Sequence, residues 1–171
     1  MVAMMRHSIS RAAVVVAVAA LLEAVQSPYL TFGGISPKLA VIGVVFAVAG
    51  LQDLQAVLLG FFGGVIFDAL GGGIGLFGVG ALGGLLAGIL TARVGIAPRG
   101  AEVLLLAQIA AVAVAARDVI GLVAINLAGL QGPPPIEFLL AGALPDALLN
   151  ALLAYAIGGM LLKFVRVKGG T

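Results

Sequence analysis

Six long apolar blocks, separated by short segments rich in proline, glycine and charged residues, constrain most strongly what this chain can fold into. Their lengths suit a hydrocarbon core about 30 Å thick. Only 9% of the 171 residues are charged, whereas roughly a quarter of the residues in a typical soluble domain carry a charge. Too few polar side chains remain to cover a soluble globule, so the sequence predicts an integral membrane protein that crosses the bilayer several times.

The blocks predict an all-α polytopic fold: a single transmembrane domain over residues 1–171, with six transmembrane helices and both termini in the cytoplasm. Pro37 and Pro135 are typical of the first turn of a helix. Pro145 removes one backbone donor from the last helix and should bend that helix near Ala141. The predicted helices cover residues 11–30, 37–51, 55–70, 76–92, 101–128 and 135–162.

The positions of lysine and arginine predict the orientation, because short cytoplasmic loops are enriched in both residues. With six crossings and a cytoplasmic N-terminus, seven basic residues lie inside and only Lys38 lies outside. A single bent span over residues 38–70 would leave two inside and six outside, so we reject it. A re-entrant pair that enters and leaves on the outer side would keep the same orientation, and this alternative stays open. The seven inside residues are Arg6, Arg11, Arg93, Arg99, Lys163, Arg166 and Lys168.

Glycines recur every four residues on the third and fourth predicted helices. Gly60 and Gly64 share one face of the third helix, and Gly80, Gly84 and Gly88 share one face of the fourth. Lipid offers no hydrophobic drive for helix association, so membrane helices rely on the close backbone contact that small residues permit. These glycines serve either packing within the chain or an exposed face that docks another membrane helix.

A few ionisable and amide side chains fall inside the predicted spans. A charge near the bilayer centre costs at least about 2.5–3.5 kcal/mol, so such groups usually face a partner, a cavity or the bundle interior. Arg117 has no carboxylate within reach on its own helix, since the adjacent Asp118 points elsewhere. Asp68 and Asp146 are its candidate partners, and the pair would either fix helix register or line a cavity or a partner site. The complete set is Glu23, Asp68, Arg117, Asp118, Asn126, Asp146 and Asn150.

The sequence offers little for catalysis, and we expect no catalytic residue, metal, cofactor or nucleic-acid partner. Gly73 to Gly78 matches a dinucleotide-binding pattern by letters, but a membrane span follows where a soluble βαβ unit is required. The only histidine, His7, lies near the N-terminus, and the third to sixth helices contain no serine. Asp68 and Asp146 lack the Gly-x-Gly-Asp setting of aspartyl intramembrane proteases. The absence of cysteine removes thiolate metal sites.

One stretch carries a family resemblance. It is the Gly-Phe-x-x-Gly-x-x-x-Asp pattern formed by Gly60, Phe61, Gly64 and Asp68, followed by Gly75-Leu76-Phe77 at the start of a glycine-rich span. Together with the order of the spans and the basic C-terminal tail, this pattern resembles the bacterial rod shape-determining protein MreD family.

The resemblance implies a non-enzymatic subunit of the bacterial inner membrane within the cell-elongation machinery. It would bind the membrane-anchored periplasmic scaffold MreC and act near RodA, its transpeptidase partner and MreB, surrounded by membrane lipid. Asp68 and the glycine turn after it would shape the outer end of the third and fourth helices, where a partner segment docks. The family fold is similar to the substrate-binding subunits of energy-coupling-factor vitamin transporters, which supplies the alternative function of small-molecule capture.

Overall fold

The computed structural model describes residues 8–26, 29–31, 35–70, 76–94 and 101–166. These residues contain six helices and no β-strand, which confirms the all-helical fold. Each observed helix overlaps a predicted one. The helices are α1 (Ile9–Gln26), α2 (Leu39–Val48), α3 (Asp53–Ala69), α4 (Val79–Val94), α5 (Glu102–Leu127) and α6 (Pro135–Val165).

Some residues used in the sequence argument lie outside the described part of the chain. They include three of the seven basic residues in the orientation count and the first glycines of the turn after Asp68. The residues concerned are Arg6, His7, Arg99 and Lys168, and the segment 71–75.

The helices alternate in direction, and the two ends of the bundle differ in charge. The Ser8 amide donates to the Val165 carbonyl at 3.5 Å, and Arg166 pairs with Glu102, so α1 and α5 begin where α6 ends. We call this the terminal end and the opposite one the far end. The basic residues Arg11, Arg93, Lys163 and Arg166 lie at the terminal end.

The short helix α2 forms the centre of the bundle. It contacts all five other helices, and every residue from Ala40 to Val48 is buried. Its ten residues rise only about 15 Å, half the thickness of a hydrocarbon core. A helix surrounded by protein on all sides can be apolar throughout its circumference.

Three helices in the described part of the chain are long and apolar enough to cross a membrane: α1, α5 and α6. The others are shorter, with 17 residues in α3 and 16 in α4. Six crossings with cytoplasmic termini therefore stay a prediction. The outer surface of the bundle is nevertheless apolar. On α3, for example, Leu54, Leu58, Phe62 and Ile66 repeat every four residues and are all exposed.

The recurring glycines pack α3 against α4 within the chain. A Cβ on Gly64 would collide with the Gly80 carbonyl, and a Cβ on Gly60 would collide with the Gly84 carbonyl. A Cβ on Gly88 would come within 2.6 Å of the Ala56 carbonyl oxygen. The two backbones are in direct contact, so these glycines do not form an exposed face for another helix.

The helix α6 changes its winding at the place predicted for a bend. Leu139–Ala143 forms a π-helical turn directly before the segment that contains Pro145. Proline has no N–H to donate to the carbonyl of Ala141, four residues earlier. The wider π-helical turn accommodates the proline, and the helix continues to Val165.

Candidate functional site

A layer of buried and partly buried polar side chains crosses the far half of the bundle, and we call it the polar layer. Four of the six helices, together with the segment before α2, contribute to it. Two of its hydrogen bonds are local, Lys38 to Ser36 and Asn150 to Asp146. Its other contacts join residues at least ten positions apart, so the layer fastens the helices to one another. Its members are Glu23, Ser36, Lys38, Asp68, Arg117, Asp118, Asp146 and Asn150.

Arg117 of α5 pairs with Glu23 of α1. The distance between Arg117 Nη1 and Glu23 Oε1 is 2.8 Å, and both residues are buried, at 7% and 3% exposure. The guanidinium carbon also lies 4.3 Å from the centre of the Phe67 ring, a cation–π contact. Gly83 packs against the aliphatic part of the same side chain, since a Cβ there would lie 2.8 Å from Arg117 Cγ.

The prediction that Asp68 or Asp146 is the partner of Arg117 was wrong. Both carboxylates are already occupied by backbone amides, Asp68 at the start of α4 and Asp146 at Ser36. Glu23 was among the intramembrane polar residues, but it precedes Arg117 by 94 positions and nothing in the sequence links the two.

The second oxygen of Glu23 supports the start of α2. The Ala40 amide donates to Glu23 Oε2 at 2.6 Å. The first amides of a helix have no partner within that helix, and a carboxylate beside them is also favoured by the helix dipole. Glu23 therefore neutralises Arg117 and caps the central helix at the same time.

Asp68, near the end of α3, caps the start of α4. Its carboxylate accepts the amides of Gly78, Gly80 and Ala81 at 2.8, 2.9 and 3.0 Å. Gly78 has φ +107°, a conformation that side chains disfavour, and a Cβ on Gly80 would collide with the carboxylate. The aspartate and the two glycines thus form one unit that fixes how α3 leads into α4.

Two polar side chains in the middle part of α6, Asp146 and Asn150, hold the segment before α2. The Ser36 amide donates to Asp146 Oδ1 at 2.7 Å, and the Lys38 amide donates to Asn150 Oδ1 at 2.6 Å. The Asn150 side chain returns a hydrogen bond to the Ser36 carbonyl at 3.1 Å. The Lys38 ammonium lies 3.3 Å from Asp146 Oδ2. Two side chains of α6 therefore position the residues directly before the central helix α2.

Asp118 is the most loosely held member of the layer. Its Oδ1 lies 4.0 Å from the Lys38 ammonium, at the limit of an ion pair. Its Oδ2 is buried and has no hydrogen-bond partner among the described residues. Asp118 therefore contributes less to the bracing than Asp146, which shares the same lysine.

Sequence reasoning missed Ser36, Lys38 and Gly83. It counted Lys38 on the outer side as an orientation signal, whereas the structure pairs it with a carboxylate of α6. The signal that could have found it is the preceding Pro37, which marks a helix start where a polar partner is required. Asn126, in contrast, donates to the Leu122 carbonyl of its own helix and contacts no member of the layer among the described residues.

The polar layer leaves little room for a ligand. The cavity beside Arg117 has a volume of about 10 Å³, space for one water molecule. Among the described residues, no group of three histidine, cysteine or acidic side chains could hold a metal ion. The chemistry of the site is therefore mutual neutralisation and helix capping.

The fold and the site together define a class: an apolar helical membrane protein whose few buried charges brace its helices. Within that class, the chain belongs to the family of the rod shape-determining protein MreD, whose model matches residues 7–168. The match confirms the resemblance carried by Gly60, Gly64 and Asp68, and indicates a role in determining rod shape. Neither curated proteins nor solved structures gave a match to this chain.

Proposed function

We propose that this chain is a non-enzymatic inner-membrane subunit of the bacterial cell-elongation complex. In this proposal it binds MreC and supports peptidoglycan synthesis during elongation, near RodA, its transpeptidase partner and MreB. The family match over residues 7–168 carries the proposal. The way in which the polar layer is used supports it, because nearly all of its donors and acceptors brace helices instead of facing a substrate.

The proposed docking site is the tip of the hairpin formed by α3 and α4. We call it the hairpin tip and define it by Ile66, Leu70 and Phe77, all of which are exposed, Phe77 at 73%. Asp68 lies between Ile66 and Leu70 in the sequence, and its carboxylate holds the start of α4, which follows Phe77. An apolar surface with an exposed aromatic side chain is suited to a partner's transmembrane helix or juxtamembrane segment.

The charges support an outward-facing hairpin tip. Four basic residues of the described chain lie at the terminal end, whereas Lys38 at the far end is paired with Asp146. Under the positive-inside rule the terminal end is cytoplasmic and the far end faces the periplasm. A membrane-anchored periplasmic partner would then meet the hairpin tip where it leaves the membrane.

Co-purification with tagged MreC from native membranes tests the proposal. Phe77→Ala and Leu70→Ala remove apolar surface from the hairpin tip and should lower the yield of complex several-fold. Ile136→Ala is the matched control, because Ile136 is also 73% exposed at the far end but belongs to α6. Equal yields for the three variants and the unaltered chain would refute docking at the hairpin tip, and absence of MreC from every preparation would refute the function.

The alternative function, capture of a vitamin-sized molecule, has less support. Small-molecule sites usually have volumes of about 300–1,000 Å³, whereas the cavity beside Arg117 holds about 10 Å³. A larger groove of about 320 Å³ between α1 and α6 is lined only by apolar residues, so it lacks the polar groups that orient such a ligand. Native mass spectrometry of the chain extracted from membranes separates the two functions. A tightly bound vitamin-sized ligand in stoichiometric amount would favour the alternative function of small-molecule capture.

A further inference from the structure

An apolar groove runs along the outside of the bundle between α1 and α6. Its volume is about 320 Å³, and its floor is formed by the central helix α2, including Ile42. Val14 and Val18 line one wall, and Met160 and Phe164 line the other. These four wall residues are between 50% and 68% exposed, so the groove opens sideways.

In a bilayer this groove faces hydrocarbon, and an acyl chain is the component that fits it. Every residue that lines it is apolar, so water would find no hydrogen-bond partner there. An empty groove would forfeit the dispersion contacts of its walls. Its volume falls at the lower end of the range for small-molecule sites, which suits one narrow chain.

Two cations stand at the terminal end of the groove. Arg11 lies three and seven residues before Val14 and Val18, on the same face of α1, and its Nη1 donates to the Phe164 carbonyl at 3.3 Å. Lys163 directly precedes Phe164, and both cations are exposed. The first turn of α1 contains no acidic residue. This end of the groove therefore suits a negatively charged headgroup.

We infer that the groove binds one acyl chain of an anionic phospholipid, whose phosphate is held by Arg11 and Lys163. The charge at one end and the apolar length beside it match the two parts of such a lipid. The same end is the one expected to face the cytoplasm, where anionic lipids attract basic residues at about 1 kcal/mol each. The inference does not depend on MreC, because the groove is formed by α1, α2 and α6, whereas the hairpin tip belongs to α3 and α4.

Native mass spectrometry of the detergent-purified chain tests the inference, with phosphatidylglycerol or phosphatidylethanolamine added as the probe. We expect one retained phosphatidylglycerol per chain and weaker retention of phosphatidylethanolamine. Val18→Trp places a bulky ring in the groove and should abolish retention of both lipids. Val112→Trp is the control, because Val112 is similarly exposed on α5 and lies outside the groove.

The headgroup contact is tested separately. Arg11→Gln and Lys163→Gln should each weaken phosphatidylglycerol binding about fivefold. Phosphatidylethanolamine binding should fall less, because the ethanolamine ammonium offsets the charge of its phosphate. Arg93→Gln, an exposed basic residue at the same end of the bundle but on α4, should change neither. Within the described part of the chain Lys163 makes no hydrogen bond or ion pair, so its variant distinguishes the headgroup contact from the Arg11 bond to α6.

Three results would overturn the inference. The first is equal retention of lipid by Val18→Trp and the unaltered chain at equal melting temperature. The second is equal affinity for the two lipids. The third is a photo-crosslinker at Val18 that captures a partner's helix in native membranes and no lipid, which would assign the groove to a protein.

Discussion

The Arg117 guanidinium and the Glu23 carboxylate join α5 to α1 through a buried ion pair 2.8 Å long. Glu23 uses its other oxygen to cap α2. One carboxylate therefore connects three helices, including the central one, and it determines whether the buried arginine is neutralised.

Glu23→Gln should destabilise the bundle strongly, because it leaves Arg117 buried without an opposing charge. Removal of one partner of a buried pair costs about 3–5 kcal/mol. The glutamine can still accept a hydrogen bond from the Ala40 amide, so the variant removes the charge of the ion pair and keeps the helix cap. Thermal unfolding in detergent measures the effect, and Glu137→Gln, at an exposed position on α6, is the control. A double variant that also carries Arg117→Met should recover part of the loss, and a melting temperature unchanged by Glu23→Gln would contradict the pairing.

Asp68→Ala should loosen the first turn of α4. Three amides lose their acceptor, and loss of a helix cap costs about 0.5–2 kcal/mol. Asp68→Asn retains one carbonyl oxygen and should have a smaller effect. Hydrogen exchange of the Gly78, Gly80 and Ala81 amides measures the change, which should be faster in the alanine variant. Equal exchange rates in both variants and the unaltered chain would show that the cap is dispensable.

Gly64→Ala should force α3 and α4 apart, because its Cβ would collide with the Gly80 carbonyl. Gly159→Ala is a suitable control, since a Cβ at Gly159 meets nothing within 4 Å. The control should be neutral or stabilising, because alanine is favoured over glycine in helices by about 1 kcal/mol. A comparison of melting temperatures decides, and equal values for the two variants would contradict close packing of α3 against α4.

Asp146→Asn should be more costly than Asp118→Asn. Asp146 accepts the Ser36 amide and lies 3.3 Å from the Lys38 ammonium, whereas Asp118 lies at 4.0 Å and has a buried oxygen with no partner. The asparagine at 146 would leave Lys38 without its closer carboxylate. Thermal unfolding of the two variants provides the measurement, and a larger loss for Asp118→Asn would reverse our account of this part of the layer.

The sequence predicted those features that depend on local pattern. Apolar blocks indicated six helices, the Gly60 and Gly64 spacing indicated a close helix contact, and Asp68 was identified beside its glycine turn. The sequence did not predict the partner of Arg117, because the two residues are 94 positions apart and pairing between helices depends on how the bundle closes.

The role of Lys38 was missed for a similar reason. As the only basic residue predicted on the outer side, it was used as an orientation signal. In the structure its side chain is only 17% exposed and lies between Asp118 and Asp146. Whether Lys38 is solvated or paired depends on α5 and α6, which begin more than sixty residues later in the sequence.

Single-cysteine labelling in intact cells tests the proposed orientation most directly, since the chain contains no cysteine of its own. Gln52 and Gln131 form a matched pair, because both are exposed residues between helices, Gln52 at the terminal end and Gln131 at the far end. A membrane-impermeant maleimide should label Gln131→Cys in intact cells and should label Gln52→Cys only after the membrane is opened. Labelling of Gln52→Cys from outside, or protection of Gln131→Cys, would contradict the orientation on which the hairpin tip and the headgroup site depend.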